Sequence, residues 1–130
     1  MKPELLYLTL VATLTGLLWV PYILDRVAKW GLMGAVGYPA NPPAQSPWAQ
    51  RLMNAHANAV ENLVVFGVLV LAAQDLNVSN GATATAAMVY FWARVVHAAA
   101  YTFAIPWLRT LAFAVGFLCY MTFACQILGR

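Results

Sequence analysis

Four apolar segments, separated by short polar or proline-containing stretches, account for most of the chain. They comprise residues 5–27, 52–73, 83–105 and 110–128. Each has about 20 residues, which is enough for an α-helix to cross the roughly 30 Å hydrocarbon layer of a bilayer. The pattern therefore predicts an all-α membrane protein, in which four transmembrane helices form an antiparallel bundle within one domain, residues 1–130.

The three connections between these segments differ in composition. Residues 31–48 contain three glycines and four prolines, which argue against a helix in the first loop. The second loop, residues 74–82, contains the turn signal Asn80-Gly81, and the third loop is only a few residues around Pro106. Within the first segment, Pro21 predicts a bend near the end of the helix.

The second segment carries a row of polar residues on one side of its helix. At about 100° per residue, these residues fall within a sector of roughly 80°. They are Arg51, Asn54, Asn58 and Glu61. A charged side chain at the bilayer centre costs at least about 2.5–3.5 kcal/mol, so this face must be covered by protein. His56 points to nearly the opposite side and is expected to pack or to lie at the interface.

The third segment has a matching polar face, formed by Arg94, His97 and Tyr101 at the spacing i, i+3, i+7. Glu61 and Arg94 are the only acid and base near the membrane centre, so a buried contact between them is predicted. The other polar residues are expected to line a cavity for a small anionic ligand. These are Arg51, Asn54, Asn58, His97, Tyr101 and Arg109. A purely structural role stays open, because polar residues within membranes often only hold helices together.

The composition supports a membrane protein and excludes several classes of function. The chain is 63% hydrophobic and only 8% charged, whereas soluble domains are about a quarter charged. The net charge is only +3, and the basic residues form no continuous run. A nucleic-acid partner is therefore not indicated. The two histidines lie on different segments, without a set of neighbouring cysteine or acidic ligands, so no metal site is predicted.

Basic residues are concentrated on one side of the predicted bundle. The side of the first and third loops has Arg26, Lys29, Arg51 and Arg109, and the side of the termini has Lys2 and Arg130. By the positive-inside rule, loops one and three are predicted to face the cytoplasm, with both termini on the opposite side.

Three motifs in the second segment, the third segment and the third loop together resemble a known family. They read Arg51-x-x-x-Ala55-His56-x-Asn58-x-x-Glu61, Ala93-Arg94-x-x-His97-x-x-x-Tyr101 and Pro106-x-x-Arg109. With four spans and a short third loop, the chain resembles the MAPEG family (membrane-associated proteins in eicosanoid and glutathione metabolism), especially its small bacterial members. The resemblance implies a homotrimer in a bacterial inner membrane, with glutathione bound between neighbouring subunits near the cytoplasmic face.

The same resemblance implies roles for individual residues. Arg109 matches the arginine that stabilises the glutathione thiolate, and Tyr101 is the second residue implied in catalysis. The residues at positions that glutathione-using members employ for binding are Arg26, Arg51, Asn58, Glu61, Arg94 and His97. Thr110 falls where the prostaglandin E synthase branch has a serine.

Two functions are therefore considered. The first is a glutathione-dependent transferase or peroxidase that acts on lipophilic electrophiles arriving from the lipid bilayer. The second is a non-catalytic structural or accessory membrane subunit. Asn54 and Ala57 stand where glutathione-using members carry further arginines, which favours the second function, whereas the complete motifs on the third segment and third loop favour the first.

Overall fold

The computed structural model describes residues 1–130 and contains five α-helices, which form four rods. The helices are α1 (Pro3–Leu17), α2 (Trp19–Val36), α3 (Pro47–Asp75), α4 (Gly81–Thr102) and α5 (Pro106–Leu128). Only Leu18 separates α1 from α2, and the two helices together form one long rod, the first of the four. The structure contains no strand. The predicted fold class, an all-α bundle of four membrane helices, is confirmed.

Three of the four rods are long and apolar enough to cross a membrane. They are Pro3–Val36, Pro47–Asp75 and Pro106–Leu128. α4 has 22 residues, which gives a spanning length of about 33 Å, but Arg94 and His97 lower its mean hydropathy. Large apolar side chains are exposed on every rod. Examples are Leu24, Val68, Trp92 and Leu118. Such a surface suits lipid rather than water, as expected of an integral membrane protein.

Proline marks the start of three helices. Pro3, Pro47 and Pro106 each occupy the first turn of α1, α3 and α5. Proline suits this position because the first N–H groups of a helix have no partner within the helix, and its fixed φ is already helical. The helices therefore extend a few residues beyond the apolar segments from which they were predicted.

The first rod is interrupted at Leu18, between α1 and α2. The Leu18 N–H contacts the Thr15 carbonyl at 3.4 Å, instead of the carbonyl four residues earlier. Pro21 explains this position, because it lacks an N–H and its ring crowds the carbonyl of the residue four before it, Leu17. The predicted effect of Pro21 on the helix is thus observed three residues before the proline itself.

α2 continues beyond the predicted start of the first loop. Gly31 has φ 73° and ψ 165°, a conformation that residues with a side chain rarely adopt. The helix breaks there and resumes for one further turn to Val36. The expectation that residues 31–48 contain no helix is therefore wrong for this turn, because the glycine interrupts the helix without ending it.

The connection between α2 and α3 is tied to α2 by Asp25. Its carboxylate accepts hydrogen bonds from the Ser46 hydroxyl at 2.6 Å, from the Ser46 N–H at 3.0 Å and from the Gln45 amide at 3.2 Å. Trp30 Nε1 donates to the Pro43 carbonyl at 2.6 Å. These bonds hold the beginning of α3 beside the second half of the first rod.

Side chains on both flanks order the connection between α3 and α4. Asn80 Oδ1 accepts a hydrogen bond from the Thr83 N–H at 3.1 Å, and the Thr83 hydroxyl accepts one from the Asn80 N–H at 2.9 Å. The predicted turn at Asn80-Gly81 is therefore a helix cap, a position that asparagine favours as strongly as turns. Glu4, buried at the start of α1, accepts from the hydroxyls of Ser79 at 2.6 Å and Thr83 at 2.8 Å.

The apolar core occupies the half of the bundle nearer the α3–α4 connection. Phe66 stacks on Tyr90 with ring centroids 3.8 Å apart and meets Phe123 edge-on at 5.8 Å. Val11 and Val70 belong to the same buried cluster. Aromatic burial of this kind contributes much of the packing energy. The other half of the bundle, toward the α4–α5 connection, contains most of the predicted site residues.

Candidate functional site

Two adjoining cavities lie between α3, α4 and α5 near the α4–α5 connection. The outer cavity, about 210 Å³, is lined by Arg51, Ala100, Tyr101, Ala104, Ile105, Pro106 and Arg109. The inner cavity, about 330 Å³, is lined by Asn58, His97, Tyr101, Arg109, Thr110 and Phe113. Tyr101 and Arg109 line both cavities and therefore stand between them. The structure brings together five of the eight predicted site residues in these linings.

Arg109 is held against Tyr101. Its guanidinium carbon lies 4.7 Å from the centroid of the Tyr101 ring, within the range of a cation–π contact. Both side chains are half-buried. The contact keeps a positive charge at the boundary of the two cavities, where no acidic side chain lines either wall.

Arg51 is positioned by the end of α4. Its Nε donates to the Thr102 carbonyl at 2.9 Å, one of the last carbonyls of α4, which have no partner within the helix. The C-terminal end of a helix also attracts a cation through the helix dipole. This bond uses Nε, so the two terminal nitrogens of Arg51 remain for a ligand in the outer cavity.

His97 forms the floor of the inner cavity. It is 2% exposed, and its ring lies 5.7 Å from the Tyr101 ring and 6.5 Å from the Phe113 ring, centroid to centroid. Its Nδ1 is buried and has no hydrogen-bond partner in the chain. A buried nitrogen without a partner favours binding of a polar group in the adjoining space.

Arg94 reaches the site only indirectly, through Asn58. Its Nη2 donates to Asn58 Oδ1 at 2.8 Å, and the residue is 3% exposed. Asn58 Oδ1 also accepts from Asn62 Nδ2 at 3.2 Å. Arg94 thus positions the Asn58 amide at the edge of the inner cavity and does not itself line either cavity.

The predicted contact between Glu61 and Arg94 is absent from the structure. Glu61 is exposed, and the partner of Arg94 is Asn58. On a helix, Glu61 is rotated by about 60° from Asn58. Asn58 lies at the edge of the polar sector that meets α4, whereas Asn54 and Glu61 point away from the bundle. The expectation that Asn54 lines the cavity is wrong for the same reason.

Arg26 lies on the other flank of α3. Its Nε donates to Gln45 Oε1 at 3.0 Å, its Nη2 contacts Met53 Sδ at 3.9 Å, and its guanidinium lies 5.3 Å from the Trp30 ring centroid. Met53 follows Arg51 by two residues, or about 200° around the helix. Within one copy of the chain, Arg26 is therefore separated from the two cavities by α3.

Two features of the site carry no signal in the sequence. Phe113 forms part of the inner cavity wall, although it is one of many apolar residues in its segment. Ala104 has φ 59°, a left-handed conformation that costs alanine about 1–2 kcal/mol. The Ile105 N–H reaches the Ala100 carbonyl at 2.8 Å across this turn, which brings the start of α5, and with it Arg109, back over α4.

The arrangement suits a small anion with a reactive group. Two guanidinium groups, a phenol and an amide converge on adjoining cavities that open at the edge of the bundle. No three histidine, cysteine, aspartate or glutamate side chains are grouped as metal ligands require. A guanidinium beside a bound thiol lowers the pKa of that thiol and raises the fraction of thiolate.

Comparisons with known proteins agree with the resemblance seen in the sequence. Residues 8–129 match the family model of the MAPEG family. The matched range includes every residue that lines the two cavities and all but the outermost residues of the bundle. Neither the comparison with curated proteins nor that with solved structures gave a match.

Proposed function

Because the chain belongs to the MAPEG family, we propose that it is a membrane enzyme that activates the thiol of glutathione for reaction with lipophilic substrates. The family includes glutathione transferases and peroxidases as well as non-catalytic members. The observation that supports an enzyme is the placement of Arg109 against Tyr101, at the boundary of two cavities without an acidic side chain.

In this proposal, the outer cavity binds a carboxylate of glutathione, and the residues at the boundary of the two cavities activate its thiol. Arg51 holds a glutathione carboxylate in the outer cavity, through the terminal nitrogens that its bond to Thr102 leaves unused. Asn58 and His97 supply further polar contacts in the inner cavity. Arg109 stabilises the thiolate by its charge, and the Tyr101 hydroxyl donates a hydrogen bond to the sulfur.

The chemistry then depends on the co-substrate. In transfer, the thiol proton leaves to solvent, the thiolate sulfur bonds to an electrophilic carbon, and the leaving group departs with its electron pair. In peroxide reduction, two glutathione thiols reduce one hydroperoxide to an alcohol and water, and the two glutathiones leave as a disulfide. Both co-substrates reach the site from the lipid, because the outer surface of the bundle is apolar.

Two of the predicted glutathione ligands require a second copy of the chain. Glu61 is exposed near the middle of the 29-residue α3, where a carboxylate in lipid is costly. Arg26 lies across α3 from the cavities. A homotrimer in which the α2–α3 flank of one subunit faces the α3–α5 cavities of the next covers Glu61 and supplies Arg26, so we place the complete site between subunits.

The proposal is tested with purified protein, glutathione and a dinitrophenyl halide as a general electrophile. Wild-type protein should form the conjugate and show thiolate absorbance when glutathione binds. Arg109→Ala should lower kcat/KM on the order of 100-fold, a loss typical of removing one charge-stabilising donor, and should abolish the thiolate absorbance.

Arg130→Ala provides the matched control, because Arg130 is an exposed cation at the other end of α5. It should leave both readouts unchanged. Wild-type protein that neither binds glutathione nor forms a conjugate would refute the enzyme assignment. Unchanged absorbance in Arg109→Ala would remove Arg109 from the role of thiolate stabiliser.

A non-catalytic accessory subunit is the second candidate function. The observation in its favour is that Asn54 and Ala57 present a neutral, exposed surface on α3, where glutathione-using relatives carry arginines. Calorimetric titration with glutathione, combined with the turnover assay, decides between the two functions. Binding without turnover of any electrophile or hydroperoxide would support the accessory role.

A further inference from the structure

Residues 31–38 form an exposed apolar segment at the end of the first rod. Leu32 is 64% exposed, Met33 81%, Val36 69% and Tyr38 fully exposed. No charged residue occurs between Trp30 and Ser46. Four large apolar side chains in a segment without charge form a poor surface for water, and contiguous apolar patches of this kind mark contact with a membrane or another protein.

The length of the first rod places this segment at the edge of the bilayer. Pro3–Val36 has 34 residues, or about 51 Å as a straight helix, whereas a bilayer with its headgroups is about 40–45 Å thick. A straight rod would therefore carry its last turn into water. The break at Gly31, with φ 73°, changes the direction of the chain before this last turn.

Two hydrogen bonds hold the ends of residues 31–42 near the start of α3. Trp30 Nε1 donates to the Pro43 carbonyl at 2.6 Å, and Ser46 is held by Asp25 at 2.6 Å. These bonds fix the two ends of residues 31–42 beside the rod.

Lys29 gives this end of the rod a charge that complements a lipid surface. It is exposed and lies two residues before Gly31. A lysine beside the headgroup layer attracts anionic lipid with about 1 kcal/mol. Its aliphatic stem can stay in the apolar layer while the ammonium group reaches the phosphates.

We propose that residues 31–38 lie in the plane of the membrane interface, with Leu32, Met33, Val36 and Tyr38 inserted among the lipid headgroups and the first carbons of the acyl chains. The occupant of this apolar surface is lipid of the same bilayer that the bundle spans, since the segment continues directly from the spanning rod. The segment anchors the first connection to the leaflet at which the two cavities open. This inference does not depend on glutathione binding.

The test measures the depth of single fluorescent labels in lipid nanodiscs. Cys125 is exposed and is replaced in Cys125→Ala, whereas buried Cys119 stays. Met33→Cys and Val36→Cys, each with an environment-sensitive label, report on the segment. Asn41→Cys is the control, because Asn41 is an exposed polar residue of the same connection.

Labels at positions 33 and 36 should be quenched several-fold more by lipids with a nitroxide near the headgroup than the label at position 41. Aqueous iodide should quench them several-fold less. Strong iodide quenching at positions 33 and 36, equal to that at position 41, would overturn the proposal, because the segment would then lie in water. Protection from both quenchers at positions 33 and 36 would also overturn it and would assign the surface to a second copy of the chain.

Discussion

Arg94 is a buried cation whose one side-chain partner is an uncharged amide. The 2.8 Å bond from its Nη2 to Asn58 Oδ1 is the bond on which its placement depends, since its Nε has no partner in the chain. When a buried charged donor loses its hydrogen bond, the folded state is destabilised by the full desolvation free energy of that donor. Asn58 is therefore as important to the stability of the subunit as to the lining of the inner cavity.

Asn58→Ala should destabilise the protein by about 1.5 kcal/mol, because it removes a hydrogen bond to a charged group within the membrane-embedded bundle. The measurement is the thermal unfolding midpoint in detergent. Asn54→Ala is the matched control, since Asn54 is exposed on the same helix and has no neighbour in the site. Equal midpoints for the two variants would show that the Asn58–Arg94 bond contributes nothing.

At the scale of residues, sequence periodicity locates the polar side chains but not all of their partners. It places Arg51, Asn58 and Glu61 in one sector of α3, yet α4 covers only one edge of that sector. The rotation of α3 about its axis is set by the packing of Phe66 and Val70 in the core. That packing depends on side chains from three other helices, so the partner of Arg94 could not be read from α3 and α4 alone.

At the scale of elements, the start of α4 combines a cap with a tertiary contact. Asn80 Oδ1 accepts from the Thr83 N–H at 3.1 Å, while Asn80 Nδ2 donates to Gln126 Oε1 at 2.8 Å. The Asn80 side chain thus caps the start of α4 and also links it to the last turns of α5. The two contributions can be separated, because Gln126→Ala removes the tertiary bond and leaves the cap in place.

Asn80→Ala should destabilise the protein by about 1 kcal/mol through the lost cap and should speed hydrogen exchange at the first-turn amides of α4. Gln126→Ala removes only the tertiary bond and should leave that exchange unchanged. Mass spectrometry of exchanged peptides measures the difference. Similar exchange in both variants would mean that the cap does not hold the first turn of α4.

The four rods were predictable because long apolar segments and the prolines at the helix starts mark them directly. The boundaries were less predictable, for a physical reason that α3 illustrates. Its first turn, from Pro47, lies outside the apolar segment and is held by contacts of Gln45 and Ser46 with Asp25. Likewise, the composition around Gly31 signals a break, but whether the chain resumes a helix depends on backbone angles that sequence composition does not determine.

At the scale of the whole molecule, a single copy of the chain leaves several charged side chains without a counter-charge. Arg51 and Arg109 line cavities without an acidic residue, while Glu61 is exposed near the middle of α3. A single copy in a bilayer would therefore expose a carboxylate to lipid and leave cations without a counter-charge. In the proposed assembly, further copies would cover the carboxylate of Glu61, and the two carboxylates of bound glutathione would neutralise the cations.

Glu61→Gln should weaken glutathione binding by about 10-fold, the loss expected for one charge-assisted hydrogen bond to the ligand ammonium. The dissociation constant is measured by calorimetry on the assembled protein, with light scattering to check its mass. A deaminated glutathione analogue serves as the matched ligand. Wild-type and Glu61→Gln protein should bind it equally, and a persistent difference would place Glu61 away from the ammonium.

The overall architecture followed from hydropathy, whereas the surfaces that the proposed homotrimer would bury did not. In a membrane, lipid-facing and subunit-facing sides are both apolar, so periodicity alone does not distinguish them. Arg26 shows the consequence. It is on the same side of the membrane as Arg51, but α3 separates the two, and this became apparent only from the contact of Arg26 with Met53.

The burial of Glu4 also determines when α1 can dock during synthesis of the chain. One oxygen of its carboxylate, Oε2, accepts hydrogen bonds from the hydroxyls of Ser79 and Thr83, whereas Oε1 is buried without a partner. At about 5–20 residues per second, a ribosome needs roughly 4–15 s to add the 75 positions that separate Glu4 from Ser79. During that interval the start of α1 must keep its charge in water. α1 therefore cannot complete its docking at Glu4 until the beginning of α4 has been synthesised.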